Sequence, residues 1–317
     1  MTTGVTPKQS TKVNAAKKRA GWVVDLKTNW GLYLMALPAI IAILVFGYGP
    51  LFGLSLAFFD YNPVKGLLNS PWVGLKHFIT AFNSQFFWVA FQNTIIIKGG
   101  QMLVGFPAAI ILAVLLNEGS RGVKRVVQTT SLLPYFISWV VIAAIFHNLF
   151  SIGGVFNEIR HSLNLPQIDI LSDPILFRRL MILQDTWKFV GFFAMIYLAA
   201  MARIDPQLYE AAMLDGANRL QQIWHITLGS IRPTMMVLFI LLIGYLVLGS
   251  YEQIFSQYNV SVYSTGDILE TYAYRLGLTQ AKYSYAIAIG FVQSIVALGL
   301  VLVTNYFSRK ADQQTLF

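Results

Sequence analysis

Residues 28–59 read TNWGLYLMALPAIIAILVFGYGPLFGLSLAFF, and no charged side chain occurs between Lys27 and Asp60. A helix crossing a bilayer needs about 20 consecutive, largely apolar residues. The run is too long for a signal-peptide core and shows no small-residue cleavage site, so it reads as a retained transmembrane helix near 31–59. Pro38, Gly47, Gly49, Pro50 and Gly53 interrupt it. Such residues are tolerated in lipid where neighbouring helices satisfy the freed backbone groups.

The rest of the chain has the same character. Of its 317 residues, 56% are hydrophobic and 12% are charged, against about 25% charged in a soluble domain. Too little polar surface remains to cover a water-facing body. The expected fold is therefore all-α, a polytopic membrane bundle forming one unit. The absence of cysteine excludes disulfides, thiolate metal sites and cysteine nucleophiles. His77, His147, His161 and His225 are scattered without metal-ligand spacing.

Five further spans are expected near 88–117, 126–150, 179–202, 233–253 and 283–307, which places both termini on one side. Lys98 interrupts the second span, while Asp185 and Lys188 interrupt the fourth. Positive charge orients such a bundle. On the side of the termini lie six Lys/Arg in the tail, three at 118–125, three in the 203–232 loop and two at the C-terminus. The opposite side carries Lys65, Lys76, Arg160, Arg178, Arg179, Arg275 and Lys282. This two-to-one bias puts both termini in the cytoplasm, and it accounts for the net charge of +9 without nucleic acid. The expected organisation is a basic cytoplasmic tail over 1–30, a six-span domain over 31–307 and a cytoplasmic tail over 308–317. The first tail is either an arm attracted to anionic membrane lipid or simple topogenic charge.

Between the fourth and fifth spans the chain reads RIDPQLYEAAMLDGANRLQQIWHITLG over 203–229. Asp205-Pro206 is a helix start, with a capping oxygen and proline at the first helical position. Asp215-Gly216 ends that helix, because glycine readily takes the left-handed conformation. Asn218 can cap a second short helix. The residues alone admit two readings: a cytoplasmic knob that docks another protein, or an amphipathic linker in the headgroup layer.

The pattern closely resembles the EAA loop of binding-protein-dependent ABC importer permeases, which is Glu-Ala-Ala, three residues, Gly, nine residues, then Ile-x-Leu-Pro. Glu210-Ala211-Ala212, Gly216, Ile226 and Leu228 match, while Gly229 stands where the family has proline. The resemblance implies that Glu210, Ala211, Ala212, Asp215 and Gly216 dock a cytoplasmic ATPase subunit. The chain has no Gly-x-x-x-x-Gly-Lys-Ser/Thr phosphate loop. It is thus expected to be a transport subunit, not an enzyme, with no cofactor of its own and ATP bound by its partners.

The likeness extends further. Trp30 to Pro38, Tyr48-Gly49-Pro50 and Trp72 to Phe78 resemble the MalF-like carbohydrate permeases. Tyr251 to Phe255, Tyr258-Asn259 and Thr271 to Leu278 resemble their polysaccharide-type branch. The implied partners are a second homologous permease, two ATP-binding-cassette subunits and an extracytoplasmic solute-binding protein in the bacterial inner membrane. The implied cargo is an oligosaccharide, with uronate-containing ones such as alginate among the candidates.

A sugar pathway requires aromatic faces and hydrogen-bonding groups. Tyr245, Gly249 and Glu252 share one face if the fifth span is an unbroken helix, with Ser250, Tyr251 and Gln253 beside them. Packing against another helix is the alternative role. A charge in mid-membrane costs roughly 2.5–3.5 kcal/mol on insertion scales, so Lys98 and Lys188 need a reason. Either both line an aqueous pathway for anionic sugar, or Lys188 pairs with Asp185 three residues away and Lys98 snorkels to the interface. Two other functions remain open: an ABC permease for a different solute, and an ion-coupled secondary transporter using Asp185 and Lys98.

Overall fold

The computed structural model describes residues 28–67 and 69–310. The expected basic tail, apart from residues 28–30, and the chain after Lys310 lie outside them. The chain divides after Ser55 into two compact units.

The first unit holds α1 (Trp30–Ala42), which passes into a π turn over Ile43–Tyr48 and a 3-10 segment beginning at Gly49. The change of winding has a local cause. Pro50 cannot donate a backbone hydrogen bond, and the flanking glycines relax the backbone, so the regular ladder cannot continue through this point.

The second unit is a bundle of α2 (Lys76–Phe82), α3 (Gln85–Glu118), α4 (Arg121–Leu132), α5 (Trp139–Phe150), α6 (Val155–Ser162) and α7 (Pro174–Met201). It continues with α8 (Pro206–Leu214), α9 (Arg219–Gly244, wound as a π turn over Gln222–Thr227), α10 (Tyr251–Phe255), α11 (Tyr263–Gly266), α12 (Leu269–Tyr274) and α13 (Tyr283–Lys310). Among the described residues there is no β-strand, only an isolated antiparallel bridge between Phe59 and Trp72. Five helical stretches are long and apolar enough to cross a membrane: Trp30–Phe58, Gln85–Glu118, Trp139–Ser162, Arg219–Gly244 and Tyr283–Phe307. α7 and α8 pass the same test only when taken together, and they meet at a 73° bend, so that α8 turns away from the line of α7.

α3 and α7 form the spine and pack along most of their lengths. Small residues make that approach possible: Gly100 lies against Ile182 and Gly105 against Thr186. Gly191 faces the Ser131 carbonyl so closely that a Cβ there would overlap it. Around the spine, Ala109, Ala113, Ala194, Tyr197 and Ile231 form one core cluster, and Ile97, Phe177, Met181, Ile254 and Ile268 form another.

Two expected spans are not single helices. The third, expected over 126–150, is broken: α4 ends at Leu132, a 3-10 turn containing Pro134 follows, and α5 starts at Trp139. α4 is too polar to cross lipid, with Arg121, Lys124, Arg125, Gln128, Thr129 and Thr130 in two and a half turns. The fifth, expected over 233–253, ends at Gly244. Residues 245–250 unwind before the short α10. Tyr245, Gly249 and Glu252 therefore do not form a helical stripe.

Candidate functional site

The 205–227 loop is built mainly from local caps. Asp205 Oδ1 accepts the Gln207 N–H at 3.0 Å, and Pro206 occupies the first position of α8. At the other end Gly216 takes φ +80°. The Gly216 N–H then reaches Met213 O at 3.1 Å, and the Ala217 N–H reaches Ala212 O at 2.9 Å. This double closure is the Schellman ending that a left-handed glycine permits. Asn218 and Gln221 then exchange side-chain and backbone bonds of 2.8 and 3.0 Å as a capping box.

Long-range contacts turn these caps into one body. Tyr209 Oη and Thr227 Oγ1 lie 2.9 Å apart and join α8 to α9, so Tyr209 turns inward rather than toward a partner. Arg219 Nε donates to Glu118 Oε2 at 2.6 Å and ties the knob to the C-terminal end of α3. Glu210, Ala211, Asp215 and Gly216 are exposed, and Ala212 is half-buried. Beside them stand exposed Met213, Leu214, Leu220 and Trp224, with Leu214 90% accessible. Large apolar side chains exposed together on one short loop suit contact with another apolar surface. The sequence pattern singles out neither Met213 nor Leu220, since apolar residues at helical positions are ordinary and only the fold shows their exposure.

The two intramembrane lysines separate. Lys188 is buried and donates to the carbonyls of Pro134 (3.3 Å), Tyr135 (3.2 Å) and Ile137. Its ammonium also lies 5.1 Å from the Trp139 ring centre. It therefore satisfies the carbonyls freed where the third span breaks. Among the described residues it forms no ion pair with Asp185, the alternative that the i, i+3 spacing offered. Lys98 and Asp185 instead line one cavity with Gln101, Phe106, Phe189 and Tyr245. Its volume is about 70 Å³, below the roughly 300 Å³ at which ligand pockets begin.

Of the remaining pathway candidates, Ser250 and Gln253 gather on Gln101 at the edge of this cavity, while Gly249, Tyr251 and Glu252 do not line it. Gly249 adopts φ +89°, and the Glu270 carboxylate takes the N–H groups of Gly249 (2.8 Å) and Ser250 (3.2 Å). Ser250 Oγ donates to Gln101 Oε1 at 3.3 Å. Gln253 is buried, accepts from Gln101 at 2.9 Å and donates to Met181 O at 2.8 Å. Tyr251 stacks on Phe255 with ring centres 4.9 Å apart, and Glu252 is exposed. Glu270 had no signal in the sequence, since its role depends on a partner segment twenty residues away. Carboxylate hydrogen bonds are worth roughly 1.5–3 kcal/mol. Glu270→Ala is therefore expected to speed amide hydrogen exchange in the 245–253 segment, and unchanged exchange there would refute the role assigned to Glu270.

A family model described as the binding-protein-dependent transport system inner membrane component matches residues 105–313, which include both the knob and the broken fifth span. The chain belongs to that family. It is accordingly a multi-span permease component of an importer in the inner membrane. Two curated relatives from Bacillus subtilis (strain 168) are similar almost end to end. The permease is 39% identical to Protein LplB over 315 residues, 99% of each chain. It is also 39% identical to the polygalacturonan/rhamnogalacturonan transport system permease protein YteP over 95% of this chain and 94% of that one. Among solved structures, the permease superposes with a TM-score of 0.84 at 39% identity on a chain of a bacterial alginate ABC transporter in complex with an alginate pentasaccharide-bound periplasmic protein. That match covers 92% of this permease and 98% of the other chain.

Proposed function

We propose that this permease imports an anionic, uronate-bearing oligosaccharide by ATP-driven alternating access. The supporting observation is its near end-to-end likeness to chains of transporters whose names specify polygalacturonan and alginate, both acidic polysaccharides. Lys98 at the Tyr245 cavity adds a cation where such a cargo would pass. Because about 70 Å³ cannot hold a sugar ring, the pathway is completed by a second, homologous permease and opens during the cycle.

In this reading two ATPase subunits bind and hydrolyse ATP, and an external binding protein delivers the cargo. Both termini and the 203–232 loop face the cytoplasm, as the charge bias indicates. Glu210, Ala211, Ala212, Asp215 and Gly216 transmit the ATPase stroke. An ion-coupled carrier would leave the exposed knob without a role, so it is not favoured.

The test is uptake by the reconstituted complex against uronate and neutral oligosaccharides. Acidic cargo is expected to be carried, and Lys98→Ala to slow it about tenfold, equivalent to ~1.4 kcal/mol, while leaving assembly intact. Uptake of neutral sugars alone would overturn the proposal.

A further inference from the structure

A cavity much larger than the one beside Lys98 lies elsewhere in the bundle. It has a volume of about 830 Å³ and lies among α2, the first turns of α3 and the segment from Tyr263 to Tyr285. This is within the range that accommodates small ligands, roughly 300–1,000 Å³. Val89 on its wall precedes Lys98 by nine residues on α3, about 14 Å at 1.5 Å per residue. In the proposed topology it lies toward the external face.

The lining combines rings with a fixed cation. Asp267 binds Arg275 through Nη1 at 3.2 Å and Nη2 at 2.5 Å. Thr271 Oγ1 donates to the same carboxylate at 2.8 Å and holds it in place. The guanidinium carbon lies over aromatic rings, 4.3 Å from the centre of Tyr263 and 5.6 Å from that of Tyr272. Arg275 is thus a rigid planar donor whose remaining N–H groups are not consumed by Asp267. Lys282 stands at the same cavity, exposed, with no ion pair or side-chain hydrogen bond among the described residues. Two cations against one carboxylate leave the cavity positive, while Tyr263, Tyr272, Tyr285 and Phe86 give it aromatic walls.

We infer that this cavity is an entry subsite for one uronate residue of the incoming oligosaccharide. Aromatic faces suit the pyranose ring, and the planar Arg275 with the free Lys282 suits its carboxylate. The inference rests on the acidic-cargo reading and adds a second station to it, upstream of Lys98 on the same helix.

The experiment uses the reconstituted transporter with its binding protein and a labelled uronate oligosaccharide. A photoreactive phenylalanine analogue at the exposed Gln280 is expected to crosslink the sugar to the permease, and excess unlabelled uronate oligosaccharide should compete. Adducts with the binding protein or with lipid alone would overturn the subsite. In parallel, Lys282→Gln should raise the half-saturating concentration of acidic cargo about tenfold with maximal rate and neutral cargo unaffected. An equal effect on all cargo would assign Lys282 to binding-protein docking and refute the inference. If the wild type carries no acidic oligosaccharide, the cargo reading falls and the subsite with it. If it does and either readout is negative, only the subsite falls.

Discussion

A Gly216→Val permease is expected to insert and assemble but to lose uptake by at least tenfold. Gly216 holds φ +80°, a conformation that costs an ordinary L residue roughly 1–2 kcal/mol and a β-branched one more. A Cβ at Gly216 would meet nothing within 4 Å, so the damage is conformational rather than steric. Losing that conformation breaks the bonds from Gly216 to Met213 and from Ala217 to Ala212, and the end of α8 moves. Docking needs lose only ~1.4 kcal/mol to weaken tenfold. Uptake and binding-protein-stimulated ATP hydrolysis in proteoliposomes read the effect. Gly216→Asn is the control, because asparagine tolerates the left-handed region and should retain most transport. Wild-type uptake in the valine variant would refute the coupling role, and equal damage from asparagine would show that bulk matters instead.

Lys188→Met should destabilise the fold itself. The ammonium serves three carbonyls at the break between α4 and α5, where lipid offers no replacement donor. Pro134 O keeps the Ile137 N–H at 3.2 Å, so the loss falls on the Tyr135 and Ile137 carbonyls, at roughly 1–3 kcal/mol for each buried group left without a partner. Methionine keeps the apolar stem of the side chain and removes the ammonium, with its donors and its charge. The expected result is a lower melting temperature and lower yield of the purified complex. Lys188→Gln, which still donates twice, should fall between methionine and wild type. Unchanged melting in the methionine variant would refute this account. Gly191, less than one turn further along α7, reinforces the same joint, since it lets the helix backbone approach the Ser131 carbonyl.

These two sites differ in how far they could be read from residue order. The knob was legible. The Asp205 cap acts two residues on, the Asn218–Gln221 box spans three, and the Gly216 turn closes within five. Each depends on chemistry contained in one short segment. The spacing from Glu210 to Leu228 then carried the family resemblance, and the matching family model agrees with it.

The membrane-embedded polar groups were not legible in the same way. Lys188 was expected to find Asp185, three residues away, yet its acceptors lie 51 to 54 residues back. The stripe through Tyr245, Gly249 and Glu252 assumed a continuous helix, which ends instead at Gly244. Glu270 supports the unwound backbone, and Gln101 and Gln253 complete the buried polar contacts around it.

Sequence by itself determined that the chain is helical, membrane-spanning and carries a capped helix–turn–helix knob between two of its spans. Apolar run length and hydrogen bonds spanning a few residues are local quantities. Only tertiary structure decided where the spans break and which polar groups meet there. In lipid no water can satisfy a freed carbonyl or N–H, so each break persists where folding brings a distant side chain to it: Lys188 to residues 134–137, and Glu270 to residues 249 and 250.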